Sequence, residues 1–389
     1  MHLIASGNTT YLAWAQSISS IIGKRVSKQA VFERMNKAWV NTVKALVTEV
    51  IKKQAKEQIK HKLFRDFGDV WLHDSTTLNL PSLLFRKFKG VTVLGEKKAT
   101  AKLNVIVNAV NGFCPVMSWT GYRTTEQQLA PDIMDIAKPK DLVIRDLGYF
   151  VLAVFKSMHG RGIYFLSRWR NKTNLYTIKE GKRINLRSLL RGKSHVDIKL
   201  LCGETERAEV RFVAIKLPVA VANERRRKAK ADKHRNANHN ELYYYLLGYA
   251  IYITNVEEDV WDYKQVAEAY AVRWQVEILF KSWKGAFCID ELIPHAVSNK
   301  ERIESILYLI ILYLTWYQVR VYEKVKDYSL KKTIEISVLQ IAKWAFYNTA
   351  RWLAEELTLK HIREILYYCR YDTRRRINAG LRFKQVFDS

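Results

Sequence analysis

Two short apolar runs, Val70-Trp71-Leu72-His73 and Leu142-Val143-Ile144-Arg145, each lead straight into an aspartate, Asp74 and Asp146. Runs this short and this apolar, bounded by turn residues, read as core strands, and they oblige the chain to build a sheet. Further strand-like segments follow at 103–110, 116–119, 164–166, 196–201, 209–215 and 246–254. From Tyr11 to about His61, and again from Asp262 onward, apolar residues recur every three or four positions, the period of helices. The expected class is therefore α/β, with helical regions at both ends of the chain and a second β-rich stretch between the aspartates and the later helices.

With 389 residues, 48% of them hydrophobic, the chain can bury one large core or two to three modest ones. Lys and Arg number 65 against 38 Asp and Glu, a formal net charge of +27. A surface so basic attracts polyanions, and spread over several segments it points to nucleic acid. A membrane partner is not expected, since there is no amphipathic lysine helix with an exposed apolar face and no lipidation motif. The most apolar stretch, 306–316, is too short to span a bilayer, is bracketed by Glu304 and Arg320, and reads as a buried helix. Residues 1–14 lack the features of a secretory signal, so the expected location is the cytoplasm. Cys114, Cys202, Cys288 and Cys369 form no Cys-x-x-Cys pair, so neither a zinc finger nor a disulfide framework is expected.

Local signals refine this outline. A helix ending near Ile22 meets Gly23, and Ser27 stands where it caps a second helix through Val31 and Met35. The pattern is that of a helix-turn-helix presenting Lys28, Gln29 and Arg34 to a DNA groove, or of a plain helical hairpin. Asn111-Gly112 between two strand-like runs predicts a hairpin. The run from Glu224 to Arg235 is dense in basic residues without apolar period and reads as a solvated loop or helix, either a plain exposed excursion or a direct contact to DNA. Aromatics at helical spacing after Ile303 read as core.

Each aspartate alone is as well explained as a turn former; the segment that follows changes this. A helix is expected to start at Asp262, with Gln265 completing a capping box, and to end at Gly285. In it Tyr270, Arg273, Glu277 and Lys284 fall along one stripe, a phenol, a guanidinium, a carboxylate and an ammonium on one face. A solvated face laced by Arg273–Glu277 and Glu277–Lys281 pairs is the alternative. It leaves the two earlier aspartates unexplained.

The spacing Tyr270-x2-Arg273-x3-Glu277-x6-Lys284, preceded by Asp74-Ser75-Thr76 and by Ile144-Arg145-Asp146-Leu147-Gly148-Tyr149, resembles the Asp-Asp-Glu transposases of bacterial insertion sequences, in particular the insertion-sequence-four group. The resemblance runs from about Val70 to Lys284. It implies a ribonuclease-H-like catalytic core interrupted by a β-rich insertion before the Glu helix. The long interval from Asp146 to Glu277 agrees with such an insertion. The implied division is 1–66 helical and DNA-binding, 67–155 with 255–298 the catalytic core, 156–254 the basic insertion, and 299–389 helical.

The resemblance implies a DNA transposase that cuts the ends of its element and joins them to target DNA. Asp74, Asp146 and Glu277 would be the catalytic carboxylates and the ligands of two Mg²⁺ or Mn²⁺ ions, hard ions that take oxygen donors. Tyr270, Arg273 and Lys284 would hold phosphates, with Arg168 as a further backbone contact. Trp274, or Tyr249 or Trp261 in the insertion, would receive an unstacked base. The partners implied are double-stranded DNA and a second copy of the chain on paired ends, at the bacterial nucleoid. A catalytically inactive DNA-binding relic and a stand-alone metal-dependent nuclease are the competing readings.

Overall fold

The computed structural model describes residues 10–52, 62–93, 96–231, 240–293, 299–332, 334–349 and 356–370; Lys233, His234 and Arg235 of the basic run lie outside the described residues. Its strands are β1 (Val70–Leu80), β2 (Lys89–Val93), β3 (Glu96–Asn108), β4 (Val116–Gly121), β5 (Leu142–Arg145), β6 (Tyr164–Arg168), β7 (Leu175–Tyr176), β8 (His195–Cys202), β9 (Ala208–Lys216) and β10 (Tyr249–Thr254). Among its helices are α1 (Tyr11–Ile22), α2 (Lys28–Arg34), α3 (Lys37–Lys52), α4 (Leu152–Gly160), α5 (Val219–Ala231), α6 (Tyr263–Ala271), α7 (Trp274–Ala286) and α8 (Lys300–Tyr317). The protein is thus a mixed α/β chain with a large mixed sheet, as its alternating texture predicts. It divides into two compact units, Met1–Ile59 with Asp74–Thr125 and Gln275–Asp372, and Lys60–His73 with Glu126–Trp274 and Thr373–Ser389.

In the first unit, α1 ends at Gly23, whose φ of 66° is open to glycine at no steric cost. Ser27 then caps α2 by accepting the Ala30 N–H at 3.1 Å. The helix pair expected from the sequence is present, and Lys28, Gln29 and Arg34 are all exposed. The β3–β4 hairpin also forms, through a loop longer than the two-residue turn that Asn-Gly suggests. Gly112 there has φ 85°, and a Cβ would lie 2.8 Å from the Gln318 amide. The apolar stretch 306–316 lies inside α8, most of it buried, and the Trp119 indole donates to the Leu307 carbonyl at 2.9 Å. No helix among the described residues is long and apolar enough to cross a membrane.

In the second unit, residues 70–73 of β1 pair in parallel with β5, and β5 pairs in parallel with β6 across the helix α4. The antiparallel strands β10, β9, β8 and β7 continue outward from β6, so the β-rich stretch expected after residue 156 extends this sheet. Burial explains the core strands: Leu142, Val143 and Ile144 are fully buried, and the Trp71 indole donates to Asp141 at 2.9 Å. A buried forked ion pair, Arg211 to Asp197, joins β9 to β8. The same guanidinium donates to the carbonyls of Val256 and Trp261, so its charge is fully partnered.

Three sequence expectations change. Asp74 is not at a strand end: β1 runs on to Leu80, and what ends after His73 is the pairing with β5. The helix expected over 262–285 is two helices, α6 and α7. The capping box of Asp262 and Gln265 is present, but the N–H groups of Val272 and Arg273 close short bonds to Ala269 and Tyr270 instead of continuing the α ladder. Trp261 and Tyr249 are not open to a base: Trp261 is 1% exposed with its indole on the Leu63 carbonyl, and the Tyr249 hydroxyl donates to the Leu190 carbonyl.

Candidate active site

Asp146 is the residue after the last paired position of β5, and it opens a short 3-10 turn over Leu147–Tyr149. Its side chain is 43% exposed. Gly148 leaves room on this turn for Glu126, whose Cγ would be 3.2 Å from an added Cβ. Two groups from the end of α6 converge on one oxygen of Asp146. The Tyr270 phenol donates to Oδ1 at 3.3 Å, and Nε of Arg273 lies 3.9 Å from the same atom. Arg273 is nearly buried and stands in the tight turn that ends α6. Burial pushes the Tyr270 phenol well above its ordinary range, so it stays a hydrogen-bond donor.

A row of side chains leads on from Tyr270. Its ring lies 5.2 Å from that of Tyr252 on β10, and Tyr252 is the cross-strand partner of Arg168, the exposed last residue of β6. Burial also raises the Tyr252 phenol, while the cations of Arg168 and Arg225 pull it down. Trp274, 42% exposed, has the Arg273 guanidinium 5.5 Å from its ring, and it alone of the three expected base-stacking aromatics is open.

Arg145, immediately before Asp146, is fully buried. It donates to the Ala130 carbonyl at 2.6 Å and meets His73 Nδ1 at 3.2 Å. Burial brings its guanidinium down to about 9. Sequence reasoning missed Arg145, Tyr252 and Arg225. An arginine closing an otherwise apolar run was the available signal for the first, and the basic run from Glu224 that for Arg225; Tyr252 had none.

The first unit holds the remaining motif residues. On β1 the Asp74 carboxylate accepts its neighbour's N–H, from Ser75, at 2.8 Å. Glu277 and Lys284 lie on α7 with the buried Leu279, Phe280, Ser282 and Trp283 between them. The Lys284 ammonium donates to the Thr77 carbonyl at 2.7 Å, three residues after Asp74, and lies 3.8 Å from Asp290. The exposed Lys28 and Arg34 are on α2, remote in sequence from all of these.

Among the described residues no three His, Cys, Asp or Glu side chains are gathered as a ready-made metal site. The donor chemistry nevertheless suits a hard divalent cation. Asp146 is half exposed, and among the described residues its second oxygen takes no hydrogen bond.

Residues 65–316, more than half of the chain, match the family model described as a transposase DDE domain. The chain belongs to that family. Its DDE domain resembles transposases for insertion sequence elements, and the family implies divalent-metal use. The chain is 27% identical over 322 residues to the IS231F transposase of Bacillus thuringiensis subsp. israelensis, covering 76% of this chain and 66% of that one. It is 23% identical over 372 residues to the IS231E transposase of B. thuringiensis subsp. finitimus, covering 88% and 76%. With the IS1151 transposase of Clostridium perfringens it shares 25% over 308 residues, covering 72% and 63%. The chain thus spans about two thirds of the length of these relatives. Among solved structures, a piggyBac transposase synaptic complex with hairpin DNA aligns with a TM-score of 0.34 at 9% identity, over 82% of this chain and 62% of that one.

Proposed function

We propose that this DDE-domain chain is a DNA transposase that cuts the ends of an insertion sequence and joins them to target DNA. The observation that carries the reading is the convergence of Tyr270 and Arg273, the first two residues of the family signature, on Asp146. In this reading the sheet is a ribonuclease-H-like core and 156–254 its insertion. Asp74, Asp146 and Glu277 are the carboxylates that would hold two Mg²⁺ or Mn²⁺ ions. Such ions, when bound, lower the proton affinity of an attacking oxygen and offset charge on the leaving one.

The chain's own groups supply positioning. Arg273 offers a planar fork, and Lys284 a point charge, to phosphates flanking the scissile one. Tyr270 keeps its proton and orients Asp146. In the first step water attacks the scissile phosphorus as the bond to the 3′ oxygen breaks, and that oxygen leaves as a hydroxyl. In the second, this 3′-hydroxyl attacks a target phosphodiester, displacing another 3′ oxygen. Trp274 offers a face to an unstacked base, and Lys28 and Arg34 on α2 contact the element's ends, which two copies of the chain pair as a homodimer. The division 1–66, 67–155 with 255–298, 156–254 and 299–389, and action at the bacterial nucleoid, belong to the same proposal.

The test is incubation of the purified protein with linear DNA carrying its element's ends and Mg²⁺ or Mn²⁺, beside Asp146→Asn and Glu277→Gln. End-specific nicks and joined products are expected from the unaltered protein alone. Cutting without joining would mean a nuclease. Equal binding with no cutting would mean a DNA-binding relic.

A further inference from the structure

From Leu80, the end of the strand that carries Asp74, the chain turns through Ser82–Leu84 into β2, and β2 pairs antiparallel with the start of β3 at the edge of the sheet. Residues 86–98 hold five cations, Arg86, Lys87, Lys89, Lys97 and Lys98, against one acid, Glu96. Among the described residues only Lys87 of the five is bridged to an acid, Glu304.

Burial marks where this ribbon leaves the body of its unit. On β3, Ala99, Thr100 and Ala101 are buried, so both faces are covered there, whereas Lys97 and Lys98 just before them are both exposed. On β2, Gly90 is buried and Val91 and Thr92 are exposed, Val91 to 48%. The base of the ribbon is pinned. The Thr100 N–H donates to the Phe88 carbonyl at 3.0 Å, Arg123 donates to the Gly90 carbonyl at 3.4 Å, and a Cβ at Gly90 would strike the Lys98 carbonyl. A ribbon held at its base and bare beyond it enters a groove with little left to order.

Register assigns the cations to faces. Lys89 stands opposite Ala99 and Lys97 opposite Thr92, so Lys89 and Lys97 share one face and Lys98 takes the other. Lysines on an edge strand guard against pairing with another chain, which accounts for Lys89 on β2. It does not account for Lys97 and Lys98 on β3, whose edge β2 already covers. Cations on both faces suit a partner with anions on two sides, where a membrane or an acidic protein surface offers them on one. The major groove of DNA, about 12 Å wide, has a phosphate strand along each wall and admits a two-stranded ribbon.

We propose that the β2–β3 ribbon stands in a major groove of the bound DNA, with Lys89 and Lys97 reaching the phosphates of one wall and Lys98 those of the other. The proposal rests on the reading of this chain as a DNA-binding member of its family, not on its cutting DNA.

The test is fluorescence anisotropy with a labelled duplex of the element's ends, without divalent ions, over a range of salt, together with dimethyl sulfate probing of guanine N7 in the major groove. Each phosphate neutralised contributes about 0.9 to the slope of log affinity against log salt. Lys89→Gln, Lys97→Gln and Lys98→Gln are each expected to flatten that slope by about 0.9, and the triple variant by about 2.7. The triple variant is also expected to uncover guanines that the unaltered protein protects. Lys87→Gln removes the same charge from the paired lysine and is expected to leave both readouts unchanged. An unchanged slope or unchanged protection in the triple variant overturns the proposal, and so does equal flattening by Lys87→Gln, which would show net charge alone at work. The four side chains are exposed, so the fold is expected to hold; if the triple variant does not fold, the three single variants decide by the same slope. Failure of the unaltered protein to bind the duplex would sink the DNA-binding reading itself, and the ribbon with it. Binding with these slopes and no cutting would sink the transposase reading and keep the ribbon.

Discussion

The carboxylate of Asp146 is gripped by side chains, a phenol and a guanidinium from the end of α6, whereas the strand that carries Asp74 is tied to α7 through a main-chain carbonyl, that of Thr77, and the ammonium of Lys284. The first grip depends on the identity of both partners. The second depends only on the lysine, because any residue at 77 brings a carbonyl. Both signature cations are thus engaged by the fold, but one touches a motif carboxylate and the other touches backbone. Lys284 therefore carries a scaffold contact beside the phosphate role proposed for it, whereas Arg273 acts on a motif carboxylate directly.

Removing the guanidinium breaks the comparison at its strongest point. Arg273→Ala is expected to slow end cleavage by about 10² to 10³, as for loss of one charge-stabilising donor, while thermal melting moves little. A gel assay with the element's ends reads this; cleavage within twofold of the unaltered protein would place Arg273 in the scaffold. Lys284→Met is expected to weaken end cleavage too, and besides that to cost about 0.5–1.5 kcal/mol in urea unfolding through the lost bond to the part-buried Thr77 carbonyl. Tyr270→Phe removes one hydrogen bond of ordinary length, and about 0.5–1.5 kcal/mol is expected. Thr77→Val sharpens the contrast at the small end, since the carbonyl remains. Its unfolding midpoint is expected to match the unaltered protein, and a shift as large as that of Lys284→Met would show that the Thr77 side chain matters.

Much of the local structure was legible because it depends on residues close in the chain. Gly23 and Ser27 mark the break between α1 and α2, and Asp262 with Gln265 mark the start of α6. Wherever a second segment decides the outcome, sequence reasoning stopped short. The periodic pattern continues through 272 and 273, so nothing local announces that α6 ends there; the burial of Arg273 toward Asp146 does. Asp74-Ser75-Thr76-Thr77 has turn chemistry, yet β1 carries it as extended strand to Leu80. Tyr249 and Trp261 could not be told from exposed aromatics until their partners, Leu190 and Leu63, were known.

The sequence by itself determined the order of strands and helices, the two aspartates that follow apolar runs, the signature from Tyr270 to Lys284, and a charge suited to DNA, because period, capping and composition are properties of neighbours along the chain. Only the tertiary structure decided which cations meet which acids. Arg227 and Glu224 pair within one helix, while Arg225 of the same helix reaches the Tyr249 carbonyl on β10. Electrostatic interaction depends on distance in space and on burial, and neither can be read from separation in sequence.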